Sequence, residues 1–241
     1  SARPTHRMKK DRTQLRLNLL GGFEACLASG PVVTLPTRKA QALLAYLAVR
    51  PGRIHPRDKL AGLLWADRGD AQARDNLRHT LVELRKVFGE GSPGLIAEGH
   101  GVGLASAAID VDVVRFETLV KTATPDDLDQ AAQLYQGDFL HGFVLREPPF
   151  EEWLVAERER LRELALGALR RLVELQARKR ASEPAIRSAL RLLALDATQE
   201  VAHRALMRLY VQQGRRAAAL RQYQTCVAVL QRELGAEPEG E

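Results

Sequence analysis

Between Ala73 and Phe88 the sequence ARDNLRHTLVELRKVF places guanidinium, ammonium, amide and imidazole groups at helical spacing. These groups grip phosphate oxygens and the edges of bases. At about 100° per residue, Leu77, Leu81, Leu84 and Phe88 share one narrow sector, flanked by Thr80 and Val87. Asp75, Arg78, His79, Val82 and Lys86 lie opposite, with Arg74 and Arg85 at the border. A helix anchored by one apolar stripe, with cations on its far side, suits the DNA major groove. The same pattern also describes an amphipathic surface helix with solvated charges. The surrounding segments favour DNA.

Arg74, Asn76, Arg78, His79 and Lys86 are candidates for base edges or adjacent phosphates, and the sequence does not sort them further. Arg78 has the fork needed to hold guanine O6 and N7. Arg38, Arg57, Lys59 and Arg85 are the phosphate candidates, and His100 also has the chemistry to touch DNA.

Other chemistries find little support. Gly99-x-Gly101-x-Gly103 is followed by no helix start and no Lys-Ser/Thr pair, so a hairpin tip explains it better than a phosphate loop. His55, His79, His100, His141 and His203 share no ligand spacing with one another or with a cysteine, so no metal is expected. Cys26 and Cys226 read as two reduced thiols in a cytoplasmic protein. Glu151-Glu152 and Glu157-x-Glu159 stand near Arg158, Arg160 and Arg162, a spacing for surface ion pairs. No catalytic residues, enzyme activity or cofactor are expected. No apolar run reaches the roughly 20 residues of a membrane helix.

The 241 residues leave room for two domains, and 45% hydrophobic content suffices for real cores. Charge is uneven. Residues 1–103 carry 17 Lys+Arg against 9 Asp+Glu, a net of +8, whereas the remainder is at −2. A basic module beside a near-neutral one suggests a polyanion binder joined to a part with another task. Residues 1–12 read as a disordered basic tail.

The elements that must carry the cations can be placed. Leu15–Leu20, Phe23–Leu27 and Val32–Leu35 read as short strands of a meander. Thr37 is a good N-cap for a helix from Arg38 that stops at Pro51-Gly52. His55-Pro56 reads as a turn, Arg57–Trp65 as a second helix and the basic segment as a third. Leu95–Glu98 and Val102–Leu104 then form a hairpin around Gly99-His100-Gly101. A small sheet, three helices and a hairpin make the winged helix-turn-helix arrangement, expected over 13–107.

From about Asp110 helical periodicity takes over, giving an all-α domain over 108–238. Asp112 and Asp126 read as helix starts, and a long helix runs from Glu151 to about Arg180. Asp196 or Thr198 caps a later helix that Gly214 ends, and a last one spans Arg216–Leu234. Val111, Val113, Val114 and Phe116 are expected to help the two domains pack. Ala189, Ala205, Ala219, Tyr210 and Tyr223 fit tetratricopeptide-like pairs, in which small residues admit close helices and aromatics fill gaps. The expected fold is thus mainly α with a small β part.

The order LLW, ARDNLRHTLVELRK, LYQGDFL, ERERL and ELGAEP resembles the SARP-type activators over residues 13–238. The resemblance implies an OmpR-like winged helix followed by a bacterial transcriptional activator domain. It also implies a bacterial, cytoplasmic, sequence-specific activator. The expected partners are direct repeats in double-stranded promoter DNA, RNA polymerase and a second copy of the chain on DNA. Family proteins often continue into an ATPase, cyclase or sensory module, so the chain is expected to be part of a longer protein. The competing expectation is a scaffold whose helical repeats bind a protein partner or a fused signalling domain. Asp75 and Glu83 put negative charge near the phosphates, and the wing tip has no Arg or Lys. Modest affinity, or an unusual operator, is therefore expected.

Overall fold

The computed structural model describes residues 15–27, 30–88, 94–97, 99–179 and 182–238. The basic tail expected at 1–12 and Glu98 in the expected hairpin lie outside them. Strands β1 (Leu15–Asn18) and β2 (Glu24–Leu27) come first, then α1 (Arg38–Ala48), β3 (His55–Pro56), α2 (Arg57–Leu64) and α3 (Asp70–Phe88). β4 (Leu95–Ile96), β5 (Gly101–Leu104) and β6 (Ile109–Val111) follow. The rest is helical: α4 (Asp112–Thr122), α5 (Pro125–Leu134), α6 (Pro148–Arg178), α7 (Ser182–Leu195), α8 (Glu200–Gln212) and α9 (Arg216–Leu234). The fold is mainly α with a small β part, a winged part preceding a helical one.

Among the described residues the strands form two three-stranded sheets, ordered β2-β1-β6 and β3-β5-β4. β1 runs antiparallel to β2, Leu15 opposite Leu27, and parallel to β6, Leu15 beside Ile109. Several local expectations are corrected. Val32 makes only an isolated bridge to Cys26 and is 68% exposed, so Val32–Leu35 is not a strand. His55-Pro56 is a strand, because it pairs with Val102 and Gly101 of β5. α5 is capped by Thr124, whose Oγ1 accepts the Asp127 N–H at 3.2 Å, rather than opened by Asp126. Gln199 occupies the N-cap of α8, while Asp196 accepts the N–H of Thr198 at 2.9 Å within the preceding loop.

The chain divides into two compact units. One holds the described residues through Phe116 together with Leu134–Leu161, the other Glu117–Gln133 and the residues from Arg162 on. In the first, Thr37 caps α1 by accepting the Ala40 N–H at 3.1 Å. Leu43, Leu44 and Leu47 of α1 are fully buried, as are Leu60 and Leu64 of α2. Aromatic rings close this core: Trp153 of α6 lies 4.8 Å from Tyr46, 5.8 Å from Phe139 and 5.2 Å from Phe150. Val111, Val113 and Phe116 are buried in the same unit.

Two buried carboxylates fix the connections. Asp112 accepts the N–H groups of Leu19 and Leu20 at 2.8 Å each and of Val113 at 2.7 Å. Burial outweighs those bonds and holds its carboxyl above the usual range. Glu147 accepts Lys39 Nζ at 2.6 Å and the Ala66 N–H at 3.1 Å. The arginines of α6 depart from the ion-pair expectation. Arg160 does bond Glu157, but Arg158 donates to the carbonyls of Phe139 and Leu140, at 2.8 and 2.6 Å. Arg162 donates to the Leu195 carbonyl at 2.7 Å. These carbonyls end or turn the chain and lack helical partners, which is why a five-donor fork serves them.

In the second unit Ala185, Ala189 and Ala202 are wholly buried among Leu169, Leu172, Leu192 and Leu206; of the other two alanines expected, Ala219 is buried and Ala205 half-buried. Tyr210 packs half-buried under the Arg215 guanidinium, 4.6 Å from its ring. Tyr223 does not fill a gap: it is 51% exposed.

Candidate nucleic-acid interface

α3 starts with Asp70 in its first turn and ends with Arg85 and Lys86 in its last, charges that complement the helix dipole. Ala73, Leu77, Thr80, Leu81, Leu84 and Phe88 form its buried stripe. Thr80 turns its hydroxyl back to the Asn76 carbonyl at 3.0 Å and leaves no polar group stranded. Arg74, Asp75, Arg78, His79, Val82, Arg85 and Lys86 are exposed, whereas Asn76 and Glu83 are half-buried on the flanks.

A line of contacts joins this face to α2 and the wing. Arg74 Nε donates to Asp58 Oδ1 at 2.7 Å. The neighbouring Arg57 donates its Nε to the Gly99 carbonyl at 3.0 Å and its backbone N–H to the His100 carbonyl at 2.9 Å. The hairpin tip is therefore bolted to the start of α2, with the His100 side chain exposed. Beneath it, β3 and β5 approach closely. A Cβ on Gly103 would lie 2.6 Å from the Arg53 carbonyl, so glycine is required there. Arg53 and Lys59 are both exposed, and both act on the buried His55, whose imidazole is held below its ordinary 6.5 chiefly by burial.

On α3 itself, Arg78 donates Nε and Nη2 to Asp75 Oδ1 at 3.1 and 2.8 Å. These bonds hold the Asp75 carboxyl below its usual range. His79 stands beside them, its Nε2 3.4 Å from Arg78 Nη2 and its Nδ1 3.7 Å from Asp75. Lys59, Arg85 and Lys86 have no carboxylate partner among the described residues.

The structure thus brings Arg57, Lys59, Arg74, Arg78, His79 and His100 onto adjoining elements, with Arg85 and Lys86 further along α3. Arg38 is not joined to them by any contact among the described residues. Its guanidinium lies 5.1 Å over the Phe143 ring. Sequence reasoning missed Arg53 and Asp58. Arg53 lies outside any periodic segment and is placed by the β3–β5 pairing, whereas Asp58 lies on the expected second helix and only its contact with Arg74 reveals its part. Among the described residues no three His, Cys, Asp or Glu side chains are placed to hold a metal. No helix among them is long and apolar enough to cross a membrane.

The family profile described as "Bacterial transcriptional activator domain" matches residues 111–241. The chain belongs to this bacterial transcriptional activator family. It is also similar to "Regulatory protein AfsR" of Streptomyces coelicolor, with 28% identity over 238 residues. That match covers 93% of this chain but 23% of AfsR, so the chain spans about a quarter of that relative's length. Its fold is similar to that of Mycobacterium tuberculosis EmbR, solved in complex with a low-affinity phosphopeptide. The TM-score is 0.71 at 22% identity, over 94% of this chain and 62% of EmbR. The SARP-type organisation expected from the sequence stands on these three likenesses. The activator family is one of transcription regulators and not an enzyme class.

Proposed function

We propose that this chain is a sequence-specific, double-stranded DNA-binding activator that works in the cytoplasm. The winged segment 13–107 binds direct repeats near promoters, two copies side by side, and the helical domain 108–238 contacts RNA polymerase. The observation that carries this reading is the cationic line from the half-buried Arg57 through the exposed Arg74 to Arg78, with the exposed His100 at the wing end. α3 supplies side chains for the major groove, and α2 with the wing supplies phosphate contacts. The test is a mobility shift with the protein's own upstream region across a salt series. Retarded complexes at low salt that weaken as salt rises support it. No shift on any promoter fragment at low salt overturns it.

A second reading has one observation in its favour. The second unit has a groove of about 370 Å³ whose apolar lining, Val173, Ala177, Val201, Ala205 and Leu209, alternates with Glu174, Gln212 and three arginines. A partner's helix or peptide suits such a surface. Under that reading the chain is a scaffold, and it gives no shift in the same assay.

A further inference from the structure

We propose that Asp75 is a positioning residue for base readout: it holds the Arg78 guanidinium with one edge filled and the base-reading edge open. This rests on the DNA-binding reading above. A guanidinium carries five N–H groups in a rigid fork. Asp75 Oδ1 takes the Nε–H and one Nη2–H, at 3.1 and 2.8 Å. Nη1 and the second Nη2–H remain, and together they form the end that meets guanine O6 and N7. The nearest competitor is His79 Nε2, at a long 3.4 Å from Nη2. A base acceptor in line with the fork displaces it.

The pair has little purpose as a helix stabiliser. Its side chains are 66% and 52% exposed at i,i+3 spacing, where ion pairs contribute little. In a DNA-binding helix a carboxylate at this position also has a cost, since it faces phosphates. That cost applies to every duplex. The gain applies only where a guanine meets the oriented fork, because ordering a long side chain beforehand reduces what binding must immobilise. Asp75 therefore separates one sequence from the rest and does not raise affinity in general.

The full chain is offered a randomised duplex pool, and the recovered duplex and a scrambled one are titrated at fixed salt. Wild type is compared with Asp75→Ala, Arg78→Ala and the double variant, with circular dichroism confirming that each is folded. Asp75→Ala is expected to lower the preferred-to-scrambled affinity ratio about tenfold or more, while scrambled affinity stays or rises. In the Arg78→Ala background the same change is expected to leave the ratio unaltered, the mark of a residue that acts through Arg78. An unchanged ratio in Asp75→Ala overturns the proposal, whatever happens to absolute affinity. A base preference that survives Arg78→Ala also overturns it and leaves DNA binding standing. A wild-type chain that recovers no duplex at low salt overturns both readings.

Discussion

His55 sits against the Tyr46 ring, 5.0 Å between centroids, and its Nε2 is buried with no hydrogen-bond partner among the described residues. Burial, then Arg53 and Lys59, hold its pKa below 6.5. The unfolded chain therefore takes up the proton first as pH falls. Stability is full above about pH 6.5 and declines below it. Denaturant unfolding between about pH 5 and 7.5 should show this loss in the wild type, and His55→Phe should flatten it. A wild-type profile as flat as the variant's sinks the argument. Arg57 acts differently. Its bond to Gly99 and its partial exposure suit it to the backbone-clamping role proposed above. Arg57→Ala should weaken every duplex alike and lower the salt slope by about one unit. A changed base preference places Arg57 in the groove instead.

α3 depends on its stripe, so Leu81, 2% exposed, is the packing residue to test. Leu81→Ala should cost about 2–5 kcal/mol in chemical denaturation, whereas Arg78→Ala should leave stability nearly unchanged. Equal losses would mean that the exposed face is buried in solution. The stripe was legible because period 3.6 over nineteen residues fixes which side is inward, and Thr37 because its cap position is local. β3 and β6 were not legible. They are two and three residues long, and their pairing partners lie 45 or more positions away. Length and periodicity carry no signal for such strands. The site divides the same way. Which α3 residues face out follows from the helix, but Arg57's hold on the wing tip, Arg53's place and Asp58's pairing arise from contacts between elements. Nothing in the local pattern of the LYQGDFLHGF and PPFEEW segments signals that Trp153 meets Tyr46. That contact predicts that a chain ending at Ala107 unfolds at lower temperature than one ending at Leu161, since Tyr46 loses Trp153 and β1 loses β6. Equal melting temperatures would show that the winged part needs neither.

At the scale of the molecule, charge decides how the chain meets a polyanion. The net of +8 over residues 1–103 gives attraction to any duplex, and salt dependence counts the cations that engage. Arg74 and Arg78 are already paired with Asp58 and Asp75. Each is already neutralised by its carboxylate, so phosphate contact by either releases less than a full counterion. Arg53, Arg57, Lys59, Arg85 and Lys86 have no carboxylate partner among the described residues. Five full contacts give a slope of log K against log salt of about −4.5, and all seven would give about −6. A chain starting at residue 13 removes the cations Arg3, Arg7, Lys9, Lys10 and Arg12, so the slope then reports the remaining cations alone. The expected value on scrambled duplex is about −4.5. Asp58→Asn should steepen it toward about −5.4 by freeing Arg74. A starting slope near −6 would show that DNA breaks both internal pairs, and Asp58→Asn would then change nothing.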